Sequence, residues 1–435
     1  MEHIVIIGNG IAGVTTARHI RKYSDHRITV ISAESDYFFS RTALMYVYMG
    51  HMRWNDIVPY EESFWAKNRI GLLRGYVSSV DADAKLVHLD DGARLAFDKL
   101  VLATGSETNT FGWEGQDLDE VIGLVSKQDL GKLEAIAPNN KVCPNAVIVG
   151  GGLIGVELAE MLLSRGIDVT FLVRESAFWT GVLPPGEAQM ISRHIFSHGV
   201  DLRHETHLEK ILADGEGRVR AVKTTAGEEI PCRLVGITTG VKPNIGFLKG
   251  SQIETNRGIL VNRFLETNIP GIYAIGDCAE QRDPIGNRPA VEAVWYTGRM
   301  MGEALAQTLC GNKTQYSPGH WFNSAKFFDI EYQTYGWVFP EHRRKDYETQ
   351  FHWIHRDDDK CITVSYHAES RKFLGINTFG IRMRHDVFDN WLTAGKSVDY
   401  VIDNLRVANF DPEFYDSYHK EIQTSFSLQQ KNMAI

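Results

Sequence analysis

IVIIGNGIAG at residues 4–13 and AVIVGGGLIG at residues 146–155 decide the fold, because each joins an apolar run to a glycine-rich turn and then to a helix-forming stretch. Ile4 to Ile7 and Ala146 to Val149 read as buried parallel strands, whose continuous apolar runs differ from the alternation of a half-exposed strand. Ile11 to Ile20 and Gly152 to Ser164 read as helices with an apolar face. A lone GxGxxG is weak evidence; a strand before it and a helix after it make it a dinucleotide-binding turn. Gly8 and Gly150 permit the tight turn, Gly10 and Gly152 let backbone approach a pyrophosphate, and Gly13 and Gly155 let helix pack on strand. Ile11, Ala12, Leu153 and Ile154 open the two helices, where free N–H groups and the macrodipole favour an anion. Two such sites in one chain point to electrons passing between two dinucleotides.

The strand after the first turn, Ile28 to Ile31, leads to Glu34, about 21 residues beyond Gly13, where a ribose-binding acid is expected. A carboxylate there accepts from both ribose hydroxyls and selects a nucleotide without a 2′-phosphate, such as the adenosine half of FAD. The second unit differs. Asp168 to Leu172 is followed by Val173, Arg174 and Glu175. Arg174 could pair with a 2′-phosphate and Glu175 could hold a free ribose diol, so NADH and NADPH both stay open, with a lean to NADH because no second Arg follows nearby.

With 435 residues and 43% hydrophobic content, the chain can fill two or three domain cores. A net charge of −9 argues against nucleic acid as a partner. No apolar run reaches membrane-spanning length and the first strand begins at Ile4, so a cytoplasmic location is expected. Five scattered cysteines, Cys143, Cys232, Cys278, Cys310 and Cys361, form no CxxC pair and read as small buried hydrophobes.

Each fingerprint opens a larger repeated unit. Lys85 to Arg94 reads as a hairpin turning at Asp90, Asp91 and Gly92 and leads to LVLATG at 100–105; Arg218 to Glu229 turns at Ala226 and Gly227 and leads to a strand ending in Thr239-Gly240. Two matched series argue for duplicated βαβ domains with an inserted antiparallel meander. Val241-Lys242-Pro243-Asn244 reads as a breaker where the chain crosses between domains. TNIPGIYAIGD at 267–277 reads as a strand with Asp277 at its carboxyl end, placed to accept from a polyol such as the FAD ribityl chain.

GNGIAG with Glu34, LVLATG, GGGLIG and TNIPGIYAIGD together resemble the two-dinucleotide-binding FAD/NAD(P)H oxidoreductases of the pyridine nucleotide-disulfide oxidoreductase fold, over roughly residues 1–310. The fold class implied is α/β: two Rossmann-like dinucleotide-binding domains with inserted antiparallel meanders, plus a smaller C-terminal α+β domain. The resemblance places a discontinuous FAD domain at 1–113 and 243–314, an NAD(P) domain at 114–242 and the C-terminal domain at 315–435. It carries the FAD site onto Gly8, Gly10, Ile11, Ala12, Gly13, Glu34, Val77, Ala103, Thr104, Gly105, Gly276 and Asp277. The pyridine nucleotide site falls on Gly150, Gly152, Leu153, Ile154, Gly155, Arg174 and Gly240.

Members that reduce disulfides or peroxides place a cysteine in the segment after the ribose acid. Residues 37–46 here, YFFSRTALMY, contain none, which removes a thiolate relay at this place. Arg41 and Leu44 match the Arg-x-x-Leu pattern of the rubredoxin, ferredoxin and nitrite reductase branch. By that resemblance Arg41 holds the FAD diphosphate; the other reading is an exposed cation at a helix start. Tyr46 stands where the ferredoxin reductases carry a lysine paired with a glutamate. Glu157 matches that glutamate, or else complements the dipole of its own helix. Val294 and Trp295, in the stretch resembling the one beside the isoalloxazine, are candidates to wall the flavin, with Glu157 and Trp295 the candidates closest to the chemistry.

The function expected is a FAD-dependent NAD(P)H oxidoreductase passing electrons to a rubredoxin- or ferredoxin-type carrier. Alternatives are an NADH oxidase or quinone reductase, or a flavoprotein similar to apoptosis-inducing factor with a non-catalytic role. The partners expected are NAD(P)H, a redox protein or small-molecule acceptor, and a second copy in a homodimer. No metal site is legible: His194 and His198 share a helical face, but two ligands make a poor site. In the C-terminal region Gln333–Val338, His352–Ile354 and Cys361–Tyr366 read as strands, and Asp386–Leu392 and Val398–Leu405 as helices. The aromatics at 321–322 and 327–328 read as interdomain core, or by the resemblance as the C-terminal segment that reaches the flavin in ferredoxin reductases. Arg343 to Lys345 reads as a solvated turn or a patch steering an acidic redox partner, Asp357 to Lys360 as a solvated turn, and the tail after Phe426 as frayed.

Overall fold

In the computed structural model, which describes residues 1–433, the first apolar run becomes the central strand, His3–Ile7, of a five-stranded parallel sheet. Arg27–Ser32 and then Ile70–Arg74 pair on one side, and Lys99–Leu102 and then Ile272–Ala274 on the other. A sheet covered on both faces accepts only apolar residues, and Ile4, Val5 and Ile6 are fully buried. The helix Ile11–Tyr23 packs on this sheet and against Trp295–Leu309. The two helices approach closely because Gly302 has no side chain: a Cβ there would stand 2.7 Å from the Ala12 carbonyl oxygen. Thr16 Oγ1 donates to that same carbonyl at 2.9 Å. The meander Val77–Asp81, Leu86–Leu89, Arg94–Ala96 follows in this unit, its second turn made by Gly92 at φ 86°.

The same plan recurs in the second half. Asn145–Val149 is the centre of a five-stranded sheet, with Asp168–Leu172 and Asp201–Arg203 on one side and Leu234–Ile237 and Val121–Ile122 on the other. Its meander is Leu208–Ala213, Val219–Thr224 and Glu229–Pro231, turned by Gly227 at φ 88°. The chain divides into two compact units. One holds residues 1–111, 122–138 and 237–318; the other holds 112–121, 139–236 and 319 onward, so the C-terminal region is compact with the second parallel sheet.

That C-terminal region is a five-stranded antiparallel sheet in the order Phe322–Phe327, Ile330–Gly336, Phe373–Phe379, Cys361–His367, Glu348–Ile354. His385–Thr393 and Val398–Asp403 are helical. Phe327 is buried against Phe178, Tyr332 and Phe379, all in the same unit. Three readings of the sequence change. Val241–Pro243 is a strand, not a breaker, paired antiparallel with Ser106–Thr108; Pro243 is tolerated because it ends a two-stranded ribbon. Phe322–Phe327 and Phe373–Phe379 are strands that the pattern did not reveal. The stretch after Phe426 continues the helix His419–Met433, anchored by the buried Ile422 and Phe426 and by Gln430, which accepts from Arg371 at 3.0 Å. Among the described residues no helix is long and apolar enough to cross a membrane.

Candidate functional site

In each parallel sheet the glycine turn leaves the carboxyl end of the central strand, between neighbours that continue the sheet in opposite directions, and that crevice is where open α/β sheets bind ligands. The glycine roles can be read from distances. Gly8 sits at φ 114°, and a Cβ there would lie 2.0 Å from the Ala103 carbonyl oxygen. A Cβ on Gly13 would lie 2.1 Å from the Gly8 carbonyl oxygen, so the helix packs directly on its own turn. A Cβ on Gly10 meets nothing within 4 Å. Gly10 is also the N-cap of the helix Ile11–Tyr23 and has no side chain to satisfy the first N–H groups, which leaves them for a ligand anion. In the second unit Gly150 sits at φ 118°, Gly152 caps Leu153–Ser164 and again meets nothing within 4 Å, and Gly155 is buried.

Around the first turn the structure gathers segments from the ends of the neighbouring strands. Glu34 follows Arg27–Ser32; Ala103, Thr104 and Gly105 follow Lys99–Leu102; Gly276 and Asp277 follow Ile272–Ala274. Ser106 Oγ donates to the Asp277 carboxylate at 2.9 Å. Burial pushes the Asp277 pKa above the ordinary carboxylate range, opposed by Ser106 and by the charge of Arg41. Thr104 Oγ1 donates to the Asn244 carbonyl at 2.7 Å. Val294, the N-cap of Trp295–Leu309, and Trp295 are half-buried. This helix begins beside the same turns, since a Cβ on Gly298 would stand 3.6 Å from Ala12 and 3.7 Å from Gly276. The Trp295 ring meets Tyr296 edge-on at 5.4 Å and carries the Arg299 guanidinium at 5.9 Å. Val77 is buried in the hydrophobic core of the unit.

Arg41 lies against the ribose acid. Its guanidinium forks onto the Glu34 carboxylate, Nη1 to Oε1 at 2.8 Å and Nη2 to Oε2 at 2.5 Å, and also donates to the Val125 carbonyl. Burial works against the cation, but Glu34, with Asp277 and Asp129 further off, outweighs it and raises the Arg41 pKa. The Lys127 backbone N–H, at the start of the helix Lys127–Ile136, also donates to Glu34 at 2.9 Å. The Arg41–Glu34 pair is only seven residues apart, whereas sequence reasoning missed the Lys127 contact because 93 residues separate it from Glu34 and no local pattern links them. It missed Ser106 too, although Ser106 directly follows Gly105. It also missed a buried pair near Trp295: Arg288 Nη1 to Glu292 at 2.7 Å, with Thr297 Oγ1 donating to the same carboxylate at 2.9 Å.

Beside the second turn, Arg174 is exposed and its Nε donates to Glu175 at 2.7 Å. Glu175 is turned toward the glycines, its Oε2 lying 3.7 Å from a Cβ built on Gly151. Glu157, in the helix Leu153–Ser164, is half-buried; burial, with Glu160 adding, pushes its carboxyl up to about 7. Lys326 is paired with Glu160 at 3.0 Å. Gly240, at φ 96° with open space around it, belongs to the first unit, whereas Gly150 to Gly155 belong to the second. Of the five cysteines only Cys310 is more than slightly exposed, and burial pushes the Cys143 and Cys232 thiols up to about 11 and 12, so neither is a ready nucleophile.

Comparison with known proteins matches residues 2–302 to the family described as pyridine nucleotide-disulphide oxidoreductase. The chain is 32% identical over 340 residues to an NADH oxidase of Methanocaldococcus jannaschii, covering 75% of this chain and 74% of that protein. It is 29% identical over 317 residues to a rubredoxin-NAD(+) reductase of Pseudomonas putida, covering 72% and 80%. Among solved structures, an NAD-dependent persulfide reductase from A. fulgidus superposes with a TM-score of 0.87 at 22% identity, covering 99% of this chain and 84% of that one. A ferredoxin reductase from Rhodopseudomonas palustris gives 0.79 at 23% identity, covering 87% and 91%. At these identities the two structures establish the fold.

Proposed function

The chain belongs to the pyridine nucleotide-disulphide oxidoreductase family and is an NAD(P)H-dependent flavin oxidoreductase; from that premise we propose that it reduces a one-electron carrier of the rubredoxin or ferredoxin kind. The observation that carries this reading is the pair of open glycine turns at Gly10 and Gly152 combined with a cysteine-free segment at 37–46. With no thiol there to relay electrons, they leave the flavin directly.

The residues fit both dinucleotides. Each glycine turn presents uncapped N–H groups of a helix of at least 12 residues to a diphosphate, with no side chain in the way. Glu34, held in place by Arg41 and the Lys127 N–H, takes the ribose hydroxyls of FAD, and Asp277, oriented by Ser106, takes the polyol chain. Arg41 thus acts as a positioning residue for Glu34. Ala103 to Gly105 and Gly276 supply close backbone, and Val294 and Trp295 wall the ring system. When bound, the nicotinamide supplies a hydride and FAD passes the electrons on. Glu157, titrating near pH 7, can hold or release a proton at its carboxyl while the second turn is occupied. Glu175 faces the second turn and neutralises Arg174, which favours a free ribose diol and therefore NADH. The division of labour proposed is FAD on 1–113 and 243–314, nicotinamide on 114–242, and acceptor-side packing on 315–435.

The test of the acceptor is an anaerobic screen with NADH and a panel of rubredoxin, ferredoxin and quinone. Turnover with an iron–sulfur or rubredoxin carrier well above that with quinone supports the reading; turnover with quinone alone contradicts it. The likeness to an NADH oxidase favours oxygen as a second reading, and oxygen uptake without a carrier would establish it.

A further inference from the structure

His194 lies on the helix Pro185–Ser197, and His198 follows one turn later, so both rings leave the same face. The fold brings a third group to them from the C-terminal sheet: Asp329, in the turn between Phe322–Phe327 and Ile330–Gly336. Its Oδ1 lies 2.7 Å from His194 Nε2 and 3.4 Å from His198 Nε2. All three residues belong to the same compact unit. We propose that His194, His198 and Asp329 form a binding site for a divalent transition-metal cation of the zinc type, clamping the helix Pro185–Ser197 to the C-terminal sheet.

The tautomers support a cation. His198 Nδ1 lies 2.9 Å from the His194 carbonyl oxygen, which can only accept, so the proton sits on Nδ1. His198 Nε2 then faces the Asp329 carboxylate oxygen at 3.4 Å, two acceptors in conflict unless a cation stands between them. A metal ion between them resolves that conflict, and an imidazole whose other nitrogen donates to a backbone carbonyl is the usual supported form of a metal-ligating histidine. The spacing also fits. Bonds of about 2.0–2.1 Å to a tetrahedral zinc put neighbouring ligand atoms roughly 3.3 Å apart. The His198 to Asp329 distance already matches, and the His194 hydrogen bond has to open by about 0.6 Å.

The surroundings hold the ligands in place. Phe328 adopts φ 56°, a left-handed conformation rare for a bulky residue, and its ring stacks on His198 at 4.3 Å and 18°. That turn therefore fixes the His198 ring and delivers Asp329 at once. Neighbouring cations are already engaged, Arg193 by Asp358 at 2.5 Å and Lys360 by Asp359 at 2.6 Å. Among the described residues the ion-pair partners of Asp329 are the two histidines alone. The negative charge of Asp359, itself paired with Lys360 and facing His355 at 4.0 Å, also bears on His194. Asp329 is 75% exposed, which leaves a coordination position for water; the clamping role rests on the ligands coming from two separate elements, the helix Pro185–Ser197 and the C-terminal sheet. A histidine pair at i, i+4 alone is weak; the carboxylate reached from a different element makes it a three-ligand set.

The test uses untagged holoenzyme, treated with EDTA and desalted, then titrated with zinc chloride and in parallel with cobalt(II) chloride. One metal per chain, with micromolar or tighter dissociation and cobalt absorption to the red of the flavin bands, is the expected result. His198→Ala and Asp329→Asn should each weaken binding at least tenfold, and zinc should raise the melting temperature of the parent but not of the variants. Flavin reduction by NADH should be the same in all three proteins. Absence of saturable binding below about 1 mM, or binding unchanged in both variants, overturns the proposal. A cluster that takes up a proton instead would show pH-dependent melting with no response to zinc, which overturns it as well.

Discussion

Gly10→Ala and Gly13→Ala add the same methyl group three residues apart, yet the structure gives them opposite consequences. Gly13 has a methyl position 2.1 Å from the Gly8 carbonyl oxygen, roughly 1.2 Å inside ordinary contact, and the obstructing atom is backbone that has to move with the whole turn. Overpacking of this kind costs about 1–3 kcal/mol. At about 2–4 °C per kcal/mol for a unit of this size, the FAD-free protein should melt roughly 2–12 °C lower. Gly10 has φ −71° and nothing within 4 Å of its methyl position, so alanine costs only the weaker N-cap, up to about 1 kcal/mol. The methyl instead occupies the approach of the diphosphate. Losing one charge-assisted hydrogen bond there, about 1.5–3 kcal/mol, weakens FAD binding by roughly 10- to 150-fold. Melting followed by circular dichroism on FAD-free protein, and flavin fluorescence titration, separate the two effects. A Gly10→Ala protein that keeps parental FAD affinity, or a Gly13→Ala protein as stable as the parent, refutes the reasoning.

Other consequences follow from the buried carboxyls and from the second turn. Glu187 is fully buried, its Oε2 accepting from Asn377 at 2.8 Å, and burial, opposed by Thr363 and Asn377, pushes its pKa up to about 7 from an unfolded value of 4.5. The folded state holds the proton more tightly, so this contribution is complete below about pH 4.5 and lost as pH rises through about 7, on the order of 3 kcal/mol. Urea midpoints measured from pH 5 to 8 should fall with pH in the parent and fall less steeply in Glu187→Gln, the remaining slope coming from Glu157, whose carboxyl is raised in the same way. Glu175→Gln should lower kcat/KM for NADH about tenfold and raise it for NADPH by freeing Arg174, while Arg174→Ala should leave NADH unchanged; steady-state kinetics with both cofactors check this.

The two glycine turns were legible because their chemistry is local: only glycine fits a φ of 114° or a backbone contact of 2.1 Å, and a strand and a helix flank each one. Asp277 and Glu34 were legible for the same reason, as residues at the carboxyl ends of strands. What failed was long-range or masked by one residue. Phe373–Phe379 hides behind Gly375, which lies where a Cβ would stand 2.4 Å from the Trp337 backbone nitrogen, so close packing took precedence over strand propensity. Val241–Pro243 was obscured by a proline that an edge position tolerates. The helix His419–Met433 is polar in composition and holds through two buried side chains and the Gln430 contact. The Lys127 N–H on Glu34, the Val125 carbonyl on Arg41 and Asp329 beside His194 come from distant elements, and only the fold supplies them.

The most direct measurement is anaerobic rapid mixing of the FAD-loaded protein with NADH, following oxidised flavin absorbance with and without the Gly152→Ala substitution. NADH should bleach the parental flavin within seconds, and the variant, with FAD content and melting temperature preserved, should need roughly tenfold or more NADH for the same rate. A parental flavin that stays oxidised with both NADH and NADPH would contradict electron passage between the two dinucleotides.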